Sequence, residues 1–205
     1  MIRRLLPVSC VLLLLLSVPV VAAVKFTSTW KAPGPPVSFA GQKVAVLLMA
    51  EDLSLRMSTE EALVREITPR GPQAVAAYTL IPPPELRDVE RAKGWFERAG
   101  VQGVIVLRPL GIDKEMVEEP VAWTSPYYGS FWGYYGYGWS SLYTINMRED
   151  TVVAVETLVF SVAKDTMLWA GRSESRNPKD LQALVKDLVK EGVKEMQKQG
   201  LIAKK

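Results

Sequence analysis

"KVAVLLMAEDLSLRMSTEEALVREITPRGPQAVAAYTLI", Lys43 to Ile81, sets two short apolar runs on either side of a polar, periodic stretch. The first run, "VAVLLMA" from Val44, is continuously apolar over a strand's length, as expected of a strand buried on both faces. Ser58-Thr59-Glu60-Glu61 then reads as a reciprocal capping box, in which Ser58 caps a helix and Glu61 reaches back to it. The helix that follows turns Ala62, Leu63 and Ile67 inward, and Pro69 and Gly71 end it. "AVAAYTLI", from Ala74 to Ile81, is a second strand, stopped by Pro82-Pro83-Pro84.

The alternation continues outward from this unit. Leu86, Val89, Ala92, Trp95 or Phe96, and Ala99 recur at helical spacing, with Gly100 where a helix C-terminus favours glycine. "GVIVLRPL" from Gly103 is a third strand, and the order strand, helix, strand, helix, strand implies crossover connections and a partly parallel sheet. Upstream, "VKFTSTW" from Val24 suits an edge strand, and "KAPGPP" from Lys31 breaks regular structure. Downstream, "TVVAVETLVFSV" from Thr151 is rich in β-branched residues, "AKD" at 163–165 turns the chain, and "TMLWAGRSES" from Thr166 returns as an antiparallel hairpin. Asn177 is placed to cap a last helix, with Pro178 in its first turn. Leu181, Leu184, Val185, Leu188, Val189, Val193 and Met196 form its apolar stripe and Gly200 closes it. The expected fold is one α/β domain over residues 24–205: a mixed sheet built from a βαβαβ unit followed by a β-hairpin and a C-terminal helix.

A Tyr/Trp/Gly-rich tract at 120–143 lies between the third strand and the hairpin. Its centre, "YYGSFWGYYGYGW", packs eight aromatic rings and four glycines into Tyr127 to Trp139. Glycines at that density argue against a steady helix or strand and predict a long loop, which in a compact domain is functional or disordered. Three readings stay open. The loop folds back as an aromatic cover for the sheet. Alternatively, it is a contact surface for another envelope protein, through Trp123, Tyr127, Tyr128, Phe131, Trp132, Tyr134, Tyr135, Tyr137 and Trp139, since such rings give large contact area at low entropic cost. In the third reading the rings stack on glycan or sit at the lipid headgroup level, a peripheral membrane contact.

The N-terminus indicates the compartment. Arg3 and Arg4 precede the apolar run Leu5 to Val18, Pro19 interrupts it, and Val21-Ala22-Ala23 follows, so residues 1–23 read as a cleaved secretory signal leading to the periplasm or cell envelope. Cys10 lies inside the apolar core and not after it, unlike the cysteine of a lipoprotein signal. Without the leader the chain has no cysteine and no histidine, and 23 basic against 22 acidic residues, net +1 where the full chain carries +3. That inventory excludes disulfides, thiolate nucleophiles, histidine bases and metal sites built on sulfur or imidazole. No cofactor is expected, and the basic footprint of a nucleic-acid binder is missing.

The aromatic tract followed by "VETLVFSV", a turn and "LWAGRSE" resembles bacterial envelope proteins of the domain of unknown function 4136 kind, in which a similar hairpin ends in a tryptophan shortly before a glycine, as Trp169 and Gly171 do here. More broadly, "KVAVLLMA", its helix and the C-terminal hairpin-helix resemble the envelope fold shared by the TolB amino-terminal domain and curli-secretion-type lipoproteins. The resemblance implies a non-enzymatic envelope protein and supplies no catalytic residue. Many such proteins carry lipid on an N-terminal cysteine, which this chain lacks.

The functional expectation is therefore a binding adaptor or assembly factor, with a glycan or peptidoglycan-binding module as the alternative. A carboxylate-only glycan hydrolase is a further alternative, because Glu115, Glu118 and Glu119 stand beside the rings and two carboxyls are what glycoside hydrolysis needs. The competing account of these acids, and of Glu51-Asp52 after the first predicted strand, is that they are solvated loop charges. Trp169 reads as a core residue. Lys186, Lys190, Lys194 and Lys198 form a basic edge on the last helix, but Asp187, Glu191 and Glu195 stand beside it.

Overall fold

The computed structural model describes residues 24–35, 37–112, 126–140, 152–176 and 178–204. Residues 1–23, read above as a secretory signal, and Trp123, Glu115, Glu118 and Glu119 lie outside the described residues. Along the chain come β1 (Lys25–Lys31), β2 (Lys43–Leu48), α1 (Leu53–Ile67), β3 (Gln73–Ala76), α2 (Val89–Arg98), β4 (Gly103–Ile112), α3 (Phe131–Ser140), β5 (Val152–Ser161), β6 (Thr166–Arg176) and α4 (Leu181–Gln199). The strands form one mixed sheet in the order β1-β6-β5-β4-β2-β3. β2 runs parallel to both β3 and β4, while β4, β5, β6 and β1 pair antiparallel in turn.

This order determines which face each helix covers. β3 lies on one side of β2 and β4 on the other, so two right-handed crossovers in opposite directions place α1 and α2 on opposite faces of the sheet. Alternate residues of β2 serve the two cores accordingly. Val44, Val46 and Leu48 pack with Leu63 and Ile67 of α1 and with the α4 stripe. Ala45, Leu47 and Met49 pack with Ala92 and Phe96 of α2 and with the rings of α3. Burial on both faces is why β2 reads as an unbroken apolar run.

The α/β architecture, the hairpin and the C-terminal helix follow the sequence expectation, with local corrections. Helix α1 starts at Leu53, not after Ser58: the Asp52 carboxylate accepts from Leu55 N–H at 2.9 Å, and Ser58 turns its hydroxyl to the Leu55 carbonyl. The second strand stops at Ala76, because Ala77–Thr79 form a 3-10 turn in which Tyr78 N–H donates to Glu60. Asn177 lies outside the described residues, and the cap of α4 is Asp180, which accepts from Ala183 N–H at 2.7 Å. The long aromatic loop contains a helix, α3, whose glycines are required by close packing, as described below.

The Trp169–Gly171 pair has a steric basis. Trp169 is fully buried, edge-on to Phe26 of β1 at 5.6 Å, and a Cβ on Gly171 would overlap its ring. Glycine two residues on, pointing to the same face of the strand, makes the space the indole fills.

If Asp52 is the cap, Asp52→Ala lowers the unfolding free energy by about 1 kcal/mol, whereas Ser58→Ala changes it by less than about 0.5 kcal/mol; urea titration of the two variants distinguishes the assignments.

Candidate functional site

Helix α3 forms despite Gly133, Gly136 and Gly138 because tertiary contacts outweigh their poor helix propensity. Its first turn is held from two sides: Ser130 Oγ accepts from Gly133 N–H at 3.2 Å, and Asp165, at the tip of the β5–β6 hairpin, accepts from Phe131 N–H at 2.8 Å. A carboxylate there satisfies an orphan donor and suits the positive end of the helix dipole. The glycines let the helix approach its neighbours. A Cβ on Gly138 would overlap Met49 Sδ of the sheet, and one on Gly136 would come within 3.3 Å of Val89 Cγ2 of α2.

The helix sends Phe131, Tyr134, Tyr135 and Trp139 inward, and Tyr128 in the turn before it is equally buried. Phe131 meets Phe96 and Phe160 edge-on, each at 5.5 Å, and Tyr128 stacks on Tyr134 at 5.4 Å. Tyr135 donates its hydroxyl to the Leu86 carbonyl; burial pushes its ionisation well above the ordinary tyrosine range.

Under these rings lies a buried ion pair. Arg108 of β4 and Glu156 of β5 are directly opposite in the sheet register and only 7% and 3% exposed. Arg108 Nε donates to Glu156 Oε2 at 3.1 Å, Tyr134 OH donates to the same oxygen at 2.6 Å, and Tyr128 OH donates to Oε1 at 2.5 Å. Burial opposes the charge on Arg108, but the Glu156 carboxylate beside it favours it, and the guanidinium stays ionised. Burial and the adjacent Glu156 carboxylate hold Tyr134 protonated, so it remains a donor. Sequence reading missed both charged residues. The available signal was a single arginine in "GVIVLRPL" and a single glutamate in "VVAVETLVFS": a lone charge within a buried strand needs a partner.

A second buried carboxylate was also missed. Glu60 is completely buried, accepts from Leu48 N–H at 3.0 Å and Tyr78 N–H at 2.9 Å, and lies 3.6 Å from Arg56 Nε. It ties α1 to the end of β2 and to the turn after β3. Burial raises its pKa from 4.5 to about 7, against the lowering effect of the two backbone donors and Arg56.

The candidate contact residues therefore divide. Tyr128, Phe131, Tyr134, Tyr135 and Trp139 are core residues, while Trp132 and Tyr137 are half-buried on the outer side of α3. Lys93 Nζ lies 5.9 Å from the Trp132 ring centroid and Arg108 5.1 Å from that of Tyr137. Trp123 and the Tyr127 side chain lie outside the described residues. Of the other acids considered, Asp52 is the α1 cap and Glu51 pairs with Arg87 at 2.7 Å. Among the described residues no helix is long and apolar enough to cross a membrane.

No family model and no curated protein matches the chain. Among solved structures, it is similar to the PelC dodecamer from Paraburkholderia phytofirmans, at 12% identity and a TM-score of 0.46 over 86% of this chain and 99% of that one. It is likewise similar to a point variant of the same dodecamer, at 13% identity and a TM-score of 0.48 with the same coverage.

Two outcomes follow from the buried carboxylates. Glu156→Leu leaves Arg108 without its main counter-charge and two tyrosine hydroxyls without their acceptor, so it lowers the unfolding free energy by about 3–5 kcal/mol; Glu156→Gln, which keeps an acceptor, costs less. For Glu60 the folded protein retains a proton that the unfolded chain releases near 4.5. Its stabilising contribution is therefore full at acid pH and declines as pH rises to about 7, at up to about 1.4 kcal/mol per pH unit. Denaturation curves of wild type and Glu60→Gln from acid to neutral pH show this slope as a difference that vanishes outside that interval.

Proposed function

We propose that this chain is a secreted envelope protein that works by binding, as an adaptor or assembly factor, and not by catalysis. The observation that carries the reading is the division of the aromatic tract. Most of its described rings are committed to the core around Glu156, yet Trp132 and Tyr137 stand one helical turn and a residue apart on the outer side of α3, separated by Gly133 and Gly136, which put no side chain between them. Half-buried on the two flanks of the exposed side of α3, with Lys93 beside Trp132, these two amphipathic rings are of the residue types that dominate protein interfaces.

The arrangement of the buried charges supports the non-enzymatic half of the proposal. Arg108, Glu156, Tyr128 and Tyr134 hydrogen-bond to one another, and Glu60 accepts from two backbone donors, so each of these groups is engaged by the fold. The leader at 1–23 and the "VETLVFSV"–"LWAGRSE" resemblance support the envelope compartment.

The test is photocrosslinking in the native host from a photoreactive residue at Trp132 and, separately, at Tyr137, with the buried Tyr134 as control. The adaptor reading expects a discrete protein adduct from the outer positions and none from the control. Adducts only to cell-wall glycan would replace it with a glycan-binding module, and no adduct from either outer position would remove the contact patch altogether.

A further inference from the structure

Helices α1 and α4 cover the sheet face opposite the aromatic helix. They follow β2 and β6, which point the same way in the sheet, so the two helices run parallel. Between them lies an open groove of about 840 Å³. From Leu181 to Lys194 it extends along some thirteen residues of α4, about 20 Å at the helical rise.

Its floor and rim differ in character. Half-buried Leu55 and Ala62 of α1 and Val185 of α4, over the buried Val189 and Val193, make an apolar floor, and Leu181 stands at one end with 53% of its surface exposed. The rim is cationic on both sides: Arg65 on α1 with Arg70 in the turn just after it, and Lys186, Lys190 and Lys194, one turn apart, on α4. Against these five cations only Asp52 and Glu66 line the groove. Asp52 is engaged as the α1 cap, and Glu66 pairs with Arg70 at 3.1 Å. Arg65 and Lys194 are matched outside the groove by Glu61 and Glu191. Lys186 and Lys190 have no ion-pair partner among the described residues.

An apolar trough of helical length with unmatched lysines on its rim is complementary to one shape and charge pattern. We propose that the α1–α4 groove docks an acidic amphipathic helix of a partner protein, its apolar ridge on the Val185–Val189 floor and its carboxylates against Lys186 and Lys190. Concavity distinguishes this occupant from a membrane. A flat bilayer would touch the rim and leave the floor uncovered, whereas a helix lays a ridge into the groove. The site is on the sheet face opposite Trp132 and Tyr137, and it does not depend on their role.

The experiment uses the full secreted protein and a fluorescent peptide of about 18 residues, with leucines at i, i+3, i+4, i+7 spacing and glutamates on the flanks, beside a matched peptide with lysines for glutamates. Fluorescence anisotropy is expected to show binding of the glutamate peptide only, weakened at least about tenfold by Lys186→Glu/Lys190→Glu. The lysine peptide is expected to recover affinity for that charge-reversed variant, a gain that misfolding could not produce. Trp132→Ala is expected to leave all of these unchanged, which separates this site from the contact patch. Equal binding of the two peptides, or no binding of the glutamate peptide, would overturn the proposal. So would phosphatidylglycerol vesicles sedimenting the protein through Lys186 and Lys190 while the peptide stays free.

Discussion

The carboxylate of Glu156 is the point on which the aromatic half of the protein is organised. It sits on a central strand, out of water, and accepts from Arg108, Tyr128 and Tyr134 at 2.5–3.1 Å. A charge so placed is tolerated only when paired and fully hydrogen-bonded. Satisfying it requires the two tyrosines of the tract to descend onto the sheet, and their descent fixes where α3 lies. Phe131 and Tyr135 then close on Phe96 and Phe160, and Gly138 allows the helix to reach Met49. A polar group specifies the position, and the apolar rings provide most of the buried area.

The sheet separates two surfaces of different chemistry. On the α2–α3 side, the charged residues Glu90, Arg91, Glu97 and Arg98 of α2 are exposed and the aromatic Trp132 and Tyr137 of α3 are half-buried, with Lys93 near Trp132. On the α1–α4 side there is a groove with an apolar floor and a cationic rim. The separation follows from topology: β2 lies between its two parallel partners, so successive right-handed crossovers must alternate faces. The proposed adaptor role would need two surfaces that do not obstruct each other, and this connectivity separates two.

Much of this was legible in the sequence. The central strands β2, β4 and β5 announced themselves as apolar runs because both faces are buried, and α2 and α4 as amphipathic periods because each has one solvent side. Helix α3 was not legible. Its three glycines argue against a helix in any local scale, and the contacts that overrule them come from Met49, Val89 and Asp165, remote in sequence. The caps were misplaced for a related reason. Ser58 and Asp52 are both plausible capping residues, and the choice between them depends on where β2 releases the chain. Arg108 and Glu156 were each visible as a charge in an apolar strand. Their partnership required the β4–β5 register, which no local pattern encodes.

The central claim is that the described part of the aromatic tract, 126–140, is folded onto the sheet, with Trp132 and Tyr137 left half-buried. Hydroxyl-radical footprinting of the native protein, read residue by residue by mass spectrometry, tests it most directly. The account predicts modification of Trp132 and Tyr137 together with protection of Phe131, Tyr134 and Tyr135 that is lost on denaturation. Equal modification of all five rings in the native protein would contradict it.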